Sequence, residues 1–210
     1  MTTQQGLRAR KKQQTREQIS DRATELFLAR GFDQVTIAEV AAAADVSKMT
    51  VTNYFPRKED LALDLGEIYI DQLASIVRER APGQSALAAL RHACLAAIAA
   101  QDQLIGFSGE PFARMIADSP ALTARGRDLH DARQLALADV LAAETGAAPE
   151  DITPRVAAAQ IAGVQRVLFN EIMRRTLEGE SNAEIAAALT RDAEIAFDTL
   201  EPGLGNYAVR

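Results

Sequence analysis

Residues 46–61 gather side chains that can bind an anionic polymer but that fit poorly in a protein core. They read VSKMTVTNYFPRKEDL. Ser47 can cap a short helix that begins at Lys48, and Val51 and Phe55 would then face inward. The outward side chains of this helix are then Lys48, Met49, Thr52 and Asn53, with Tyr54 at the edge.

Each outward residue type has a counterpart on double-stranded DNA. Ammonium groups neutralise phosphates, and hydroxyl groups donate to phosphate oxygens. An asparagine can pair with N6 and N7 of adenine, and a methionine or a threonine methyl can contact the methyl group of thymine. The segment therefore predicts a DNA-binding helix, and its candidate contacts are Lys48, Met49, Thr50, Thr52, Asn53, Tyr54 and Lys58.

The residues before this segment predict a second helix, joined to it by a tight turn. Thr36 and Glu39 have the spacing of a capping box, in which each side chain binds the other residue's backbone N–H. Residues 34–55 therefore predict a helix-turn-helix, whose second helix would lie in the major groove. Thr36 is placed to hold a phosphate at the start of the first helix. An ordinary helical hairpin with a solvated face is the alternative.

The distribution of charge indicates an anionic partner at the N-terminal end. The formal net charge of −6 argues against a general nucleic-acid binder. The first 60 residues, however, hold 10 Lys and Arg against 8 Asp and Glu, whereas the remaining 150 hold 13 against 21. A basic run with Arg8, Arg10, Lys11, Lys12 and Arg16 leads into the first predicted helix. Of these, Arg10, Lys11 and Lys12 are candidate contacts of an arm that reaches an adjacent groove; the alternative is a solvated tail.

Nearly the whole chain predicts helices, and no segment shows the strict alternation of a β-strand. We predict an all-α fold with about nine helices in two domains. A three-helix helix-turn-helix domain would occupy residues 1–57, and a larger antiparallel helical domain for ligand binding and dimerisation would occupy residues 58–210. The first helix would begin near Arg10, and one long helix would run from about Lys58 to Arg80.

The sequence lacks the patterns of a membrane protein, a secreted protein or an enzyme. No apolar run reaches roughly 18 residues, and the basic N-terminus has no apolar segment after it. The single cysteine, Cys94, cannot form an internal disulfide, which favours the cytoplasm. The two histidines, His92 and His130, form no zinc motif, and no P-loop or GxGxxG is present. We therefore expect no catalytic site, no metal and no cofactor.

A long, ordered set of residues supports a resemblance to a known family. The set comprises Gly31-Phe32, Thr36-Ile37, Ala41, Val46-Ser47, Thr50, Tyr54-Phe55 and Lys58-Glu59-Asp60-Leu61. In this pattern residues 12–61 resemble the TetR family of transcriptional regulators. The resemblance implies a homodimer that binds near-palindromic operators through Thr36, Lys48, Met49, Thr52, Asn53, Tyr54 and Lys58. Met49 and Thr52 depart from the residues common there, so no base preference is implied.

The C-terminal part resembles that family only in general layout, although the segment SPALTARGRDLHDARQLALADVLAAETG is similar to a subgroup common in actinobacterial regulators.

Polar and aromatic residues on apolar helix faces predict a ligand pocket. The candidates are His92, Phe107, Phe112, Arg114, Met115, His130, Gln134, Gln165, Phe169 and Asn170, with His92 and Arg114 able to meet an anionic group.

The last two long helices, about 154–178 and 181–200, carry apolar stripes. Together with their symmetry mates they predict a four-helix dimer interface, and packing within one subunit is the alternative. The stripes are Ala157, Ile161, Val164, Leu168 and Ile172 on the first helix, and Ile185, Leu189, Ala193, Ala196 and Leu200 on the second.

These patterns together predict a ligand-responsive regulator with no membrane partner. Its partners would be operator DNA, a second copy of the chain and a small, mostly apolar effector that releases a repressor by tilting the helix from Lys58 to Arg80. The alternative is a helical protein that binds a small molecule and either acts as an activator or does not regulate DNA. The absence of site chemistry argues against an enzyme.

Overall fold

The computed structural model describes the backbone of residues 2–210 and the side chains of residues 10–210. This part of the chain contains eleven α-helices, nine of them seven residues or longer, and no β-strand, which confirms the predicted all-α fold. The helices are α1 (Thr2–Arg30), α2 (Ile37–Ala43), α3 (Lys48–Tyr54), α4 (Glu59–Ala62), α5 (Gly66–Glu79), α6 (Ala86–Ala99), α7 (Glu110–Asp118), α8 (Pro120–Thr145), α9 (Thr153–Leu177), α10 (Asn182–Asp198) and α11 (Glu201–Leu204).

Side-chain caps define where several helices begin, as the sequence predicts. At α2 the hydroxyl of Thr36 accepts from the backbone N–H of Glu39, and the Glu39 carboxylate accepts from the backbone N–H of Thr36 at 2.8 Å. Ser47 caps α3 through the N–H of Thr50, at 3.0 Å. These contacts satisfy N–H groups that have no partner within the helix.

The first compact unit ends at Gly66 and also includes Arg114–Gly126. One face of α1 is buried in it, because apolar residues recur at helical spacing. α2 and α3 meet at a turn in which Asp45 has a φ of 54° and the N–H of Val46 donates to the carbonyl of Ala41. The buried side chains of this unit include Ile19, Phe27, Phe32, Val40, Val51, Phe55 and Leu61.

The prediction of one continuous helix from Lys58 to Arg80 is wrong. The chain leaves the helix after Ala62 and re-enters it at Gly66. Asp64, within the break, is held from α1: its carbonyl accepts from the Arg16 guanidinium at 2.6 Å, and its carboxylate accepts from Ser20 at 2.6 Å. Residues 58–80 therefore do not form a single lever that an effector could tilt.

The second compact unit comprises Glu67–Ala113 and Arg127–Arg210. α10 packs against both α6 and α9. The stripes predicted for the dimer surface lie mainly inside this unit: Ala157, Ile161, Leu168 and Ile172 of α9, and Ile185, Leu189 and Ala193 of α10, belong to its buried core. Val164 and Leu200 pack against that core as partly buried residues, and Ala196 is half-buried. These stripes therefore follow the intrasubunit alternative, because nearby helices of the same chain already cover them.

The C-terminal end of the chain is fixed by Arg80, whose side chain is 1% exposed. Its guanidinium donates to the carbonyls of Gln84, Val77 and Ala208 and forms an ion pair with Glu144 at 2.9 Å. The last residues also pair with the α5–α6 connection, since the N–H of Gly83 donates to the carbonyl of Arg210. We call residues 207–210 the C-terminal strap.

We predict that Arg80→Met lowers the free energy of unfolding by about 3 kcal/mol, because it leaves Glu144 and three carbonyls without their buried donor. The matched control is Arg78→Met, two residues earlier in the last turn of α5 and in an exposed ion pair with Asp71, which should change the free energy of unfolding by less than about 0.5 kcal/mol. Urea unfolding followed by circular dichroism measures both. Equal, small effects would show that the Arg80 contacts add nothing to stability.

Candidate nucleic-acid interface and buried polar cluster

The short helix α3 presents most of its predicted contact residues to solvent. Met49 is 72% exposed, and Lys48 and Asn53 are also exposed. No residue of the described chain binds the Lys48 ammonium or the Asn53 side-chain amide. Val51, on the opposite side, is fully buried. This face thus offers one cation, one thioether and one amide to a partner.

The two threonine hydroxyl groups of α3 already have partners in the helix or at its N-terminal cap. Thr52 donates to the carbonyl of Met49 at 3.1 Å, and Thr50 forms a hydrogen bond with Ser47 at 2.8 Å. Both threonines and Tyr54 are half-exposed. Thr52 can donate to a phosphate only by giving up its internal bond, whereas Thr50 can donate to a phosphate while it accepts from Ser47.

Two predicted phosphate contacts are engaged inside the first unit. The Lys58 ammonium donates to the carbonyl of Phe32 at 2.6 Å and lies 4.2 Å from the centroid of the Phe32 ring. The Thr36 hydroxyl donates to Glu39 at 2.8 Å, and the bond from the Thr36 backbone is the main reason that the pKa of Glu39 is lowered to about 2. A carboxylate therefore occupies the N-terminus of α2. Contact of Lys58 and Thr36 with phosphate stays a prediction. The internal bonds of both residues make this contact less favourable.

The predicted basic arm is instead part of a helix. Arg10, Lys11 and Lys12 are exposed, but they lie within α1, which begins at Thr2 and not near Arg10. The polar residues before Arg10 are mostly ordinary helix formers and include no proline, so they extend the helix. The side chain of Arg8 lies outside the described part of the chain.

Arg16 has a role that charge counting missed. Its guanidinium donates to the carbonyl of Tyr54, the last residue of α3, at 3.2 Å, and lies 4.3 Å from the centroid of the Phe55 ring. The sequence carries a signal for this role, since Arg16 precedes the buried Ile19 and Ala23 on the same face of α1 at helical spacing. Arg16 therefore positions α3 and does not belong to a free basic tail.

The second unit contains a group of polar side chains within its apolar core. Arg133 of α8 is 4% exposed, and its guanidinium lies 4.2 Å from the centroid of the Tyr69 ring. It donates to the side-chain carbonyl of Gln72 at 2.5 Å, and its Nε has no hydrogen-bond partner. The Tyr69 hydroxyl and Nδ1 of His130 share a hydrogen bond of 2.6 Å. We call Tyr69, Gln72, Cys94, His130 and Arg133 the polar cluster.

Burial keeps the titratable neighbours of Arg133 neutral. It lowers the pKa of His130 to about 4, with further lowering by the positive charges of Arg133 and Arg166 and a smaller opposing effect of Asp131. It raises the pKa of Tyr69, and it raises that of the Cys94 thiol to about 11. Burial also lowers the pKa of Arg133, but a guanidinium remains cationic in proteins. Arg133 is thus the one charge of the polar cluster near neutral pH.

The predicted pocket residues are only partly brought together. His130 and Phe169 meet edge to face, with ring centroids 5.3 Å apart, and Gln165 is buried. Phe107 is buried, and Phe112 and Gln134 are half-buried. His92 and Asn170 are exposed on their helices, so they do not line the core of this unit. Arg114 is exposed and Met115 is buried, and both belong to the first unit.

The main members of the polar cluster were not predicted from the sequence. Arg133 lies four residues after the buried Leu129 and four before the buried Leu137, so it falls on the apolar face of α8. Tyr69 likewise precedes the buried Leu73 by four residues on α5. A cation within an apolar helical stripe was the signal that could have identified Arg133.

The described residues lack the features of a membrane span and of a metal site. None of the helices there is both long enough and apolar enough to cross a membrane. The same residues contain no group of three or more His, Cys, Asp or Glu side chains placed to hold a metal ion.

Known proteins similar to this chain are regulators of transcription. The family described as "Bacterial regulatory proteins, tetR family" matches residues 19–65. The HTH-type transcriptional regulator TcmR of Streptomyces glaucescens is 30% identical over 205 residues, which cover 95% of this chain and 88% of TcmR.

Solved structures with the same fold include two of similar length. NalD of Pseudomonas aeruginosa, the secondary repressor of the MexAB-OprM multidrug efflux pump, has a TM-score of 0.54 and 20% identity, over 88% of this chain and 97% of NalD. SmeT, solved in complex with triclosan, has a TM-score of 0.56 and 17% identity, over 90% of each chain.

We predict that His130 makes the free energy of unfolding fall as the pH decreases. Its pKa is about 4 in the folded chain and about 6.5 when unperturbed, so the unfolded state binds more protons between these values. The stabilisation is complete above about pH 6.5 and is lost as the pH falls through 4. Urea unfolding from pH 7 to 4.5 should show a shallower dependence for His130→Asn than for the wild type.

The matched control is His92→Asn, which removes the other histidine of the chain from an exposed position on α6. If His130→Asn and the wild type follow the same curve, the low pKa of His130 is wrong.

Proposed function

The chain belongs to the TetR family of bacterial regulatory proteins, and from this premise we propose that it is a ligand-responsive repressor. In this proposal it binds a near-palindromic operator as a homodimer in the cytoplasm, and a small effector releases it. As a member of this family the chain is a DNA-binding regulator of transcription with a helix-turn-helix, and not an enzyme.

The exposed face of α3 is the observation that carries the proposal. Lys48, Met49 and Asn53 point outward from a helix whose other side is packed through Val51 and whose C-terminal end is held by Arg16. A fixed helix with free polar side chains matches a recognition helix, in which the first residues reach base edges and phosphates. In this arrangement Lys48 contacts phosphate and Asn53 reads adenine.

We propose that dimerisation uses the outer faces of α9 and α10. Val167 on α9 is 65% exposed and Ile195 on α10 is 64% exposed, although both helices bury their opposite faces in the chain's own core. Exposed aliphatic side chains on two adjacent helices favour a four-helix contact with a second copy. A dimer would place two recognition helices one DNA turn apart, about 34–36 Å, and so double the bases read.

Repression and release by an effector are also part of the proposal. NalD, which shares the fold, is a repressor of a multidrug efflux pump, and SmeT has been solved with triclosan bound. An effector can lower DNA affinity only by as much as it prefers the state that does not bind DNA. Control as an activator, or ligand binding without DNA regulation, remains the alternative function.

Titration of the purified protein into labelled promoter DNA tests the proposal. The first DNA to use is the region upstream of its own gene, with random DNA as competitor, at two salt concentrations. A salt-dependent shift that prefers the promoter, with two chains per site, is the expected result. Equal binding to promoter and random DNA, or none, would contradict regulation of that promoter.

We predict that two single substitutions on α3 separate phosphate contact from base reading. Lys48→Ala should weaken operator binding and reduce the slope of log affinity against log salt by about 1, because one phosphate contact is lost. Asn53→Ala should weaken operator binding by about 1–3 kcal/mol while random DNA is bound as before. Fluorescence anisotropy at several salt concentrations measures both.

Arg127→Ala is the control for these substitutions, because Arg127 is an exposed arginine of α8 in the second unit, away from the proposed dimer faces of α9 and α10. The assigned face is wrong if Lys48→Ala leaves the salt slope unchanged. Asn53 is not a base reader if its loss weakens binding to both DNAs equally.

We predict that Val167→Asp converts the dimer to a monomer, because it places two charges in the proposed apolar contact. Sedimentation velocity at low micromolar concentration measures the mass. Ile68→Asp, at an aliphatic residue of α5 that is 57% exposed, is the matched control and should remain dimeric. If Val167→Asp stays dimeric, the interface lies elsewhere.

A further inference from the structure

We infer that the polar cluster in the second unit binds a single negative charge, of the carboxylate type, on an otherwise apolar small molecule. Arg133 would pair with the anionic oxygens, and His130 with Phe169 would contact the ring or chain that carries them. The inference rests on the proposed function, since it describes the effector of the same regulator. It replaces His92 and Arg114 as the residues expected to meet an anionic group.

Two buried arginines of the second unit differ in their partners. Arg80 has a carboxylate partner, Glu144, and donates to three carbonyls. Arg133 is equally buried, but within the described chain no carboxylate lies in ion-pair distance of its guanidinium, and its Nε has no acceptor. A buried charge without a counter-charge costs several kcal/mol unless something compensates it. Arg80 is therefore complete within the fold, whereas Arg133 is not.

The neighbours of Arg133 do not supply the missing charge. Tyr69 offers its ring face and Gln72 offers a neutral carbonyl oxygen. The pKa values of Tyr69 and Cys94 are raised by burial, so both groups stay protonated at neutral pH. An anion bound from outside would give the guanidinium its counter-charge and an acceptor for Nε.

The surroundings select an apolar body with one charge. His130 packs against Phe169, which is half-buried and so keeps part of its ring uncovered. Gln72 accepts a hydrogen bond from Arg133 and also lines an open depression of about 480 Å³ along α5. Glu67 and Glu79 line that depression, and their negative charges would repel a polyanion more strongly than a monoanion, whereas Asp71 there is paired with Arg78.

The chain contains a direct reporter of this binding. It has two histidines, of which His130 belongs to the polar cluster and His92 is exposed on α6. Titration of benzoate into protein labelled with ¹⁵N-histidine should shift the imidazole signals of His130 and saturate, with little change at His92. Benzamide has the same shape without the charge, and we expect it to bind at least about tenfold more weakly.

Substitution of Arg133 tests the role of the charge. Arg133→Gln should weaken benzoate binding at least about tenfold, while benzamide binding changes less than about twofold. Arg133→Lys keeps a cation and should retain the preference for benzoate. The matched control is Arg127→Gln, an exposed arginine on the same helix, which should behave as the wild type.

Any of three results would overturn the inference. The first is that benzoate up to about 50 mM, far above the dissociation constant expected for a small matched ion, produces no saturable shift of His130. The others are equal binding of benzamide and benzoate, and benzoate binding that survives Arg133→Gln. If Arg133→Gln does not fold, the wild-type preference for benzoate and its retention in Arg133→Lys still decide the matter. The benzoate titration contains no DNA, so its failure would not contradict operator binding. Failure of the promoter titration would likewise not contradict benzoate binding at Arg133.

Discussion

The position of α3, the proposed recognition helix, depends on one guanidinium, that of Arg16. A helix of seven residues is too short to be stable alone, so contacts outside it must hold α3 in place. Val51 supplies apolar burial on one side, and Arg16 binds the carbonyl of Tyr54 at the C-terminal end and stacks on Phe55. The same guanidinium holds the carbonyl of Asp64, where the chain leaves α4. Since a guanidinium has a rigid fork of donors, one residue can fix two separate segments relative to α1.

The parts of the fold that could be predicted are those governed by neighbours in the sequence. The capping box at Thr36, the cap at Ser47 and the buried and exposed sides of α3 all follow from spacings of a few residues. The break near Asp64 was missed in this way, because the contact that holds it comes from Arg16, 48 positions earlier. The contacts of Lys58 were missed for the same reason, since its partner is the carbonyl of Phe32.

The two candidate sites also differ in how far neighbouring residues in the sequence predict them. Outward residues on a short helix can be assigned from periodicity, although the contacts they make with DNA are tested only by binding. The buried polar cluster was largely hidden, because charged residues on helices usually lie on the surface and Arg133 does not stand out among them. Its significance depends on what is missing around the guanidinium. That can be judged only when the neighbours from α5 and α8 are known.

The C-terminal strap has a genetic consequence. The last residues of a chain are commonly frayed, and stop codons near the end of a gene are among its mildest lesions. Here the carbonyl of Ala208 accepts from Arg80, and the backbone of Arg210 pairs with the α5–α6 connection. A nonsense mutation at codon 208 would remove one of the acceptors of a buried guanidinium together with the segment that covers it. Loss of residues 208–210 would therefore destabilise the fold more than the exposure of Val209 and Arg210 alone suggests.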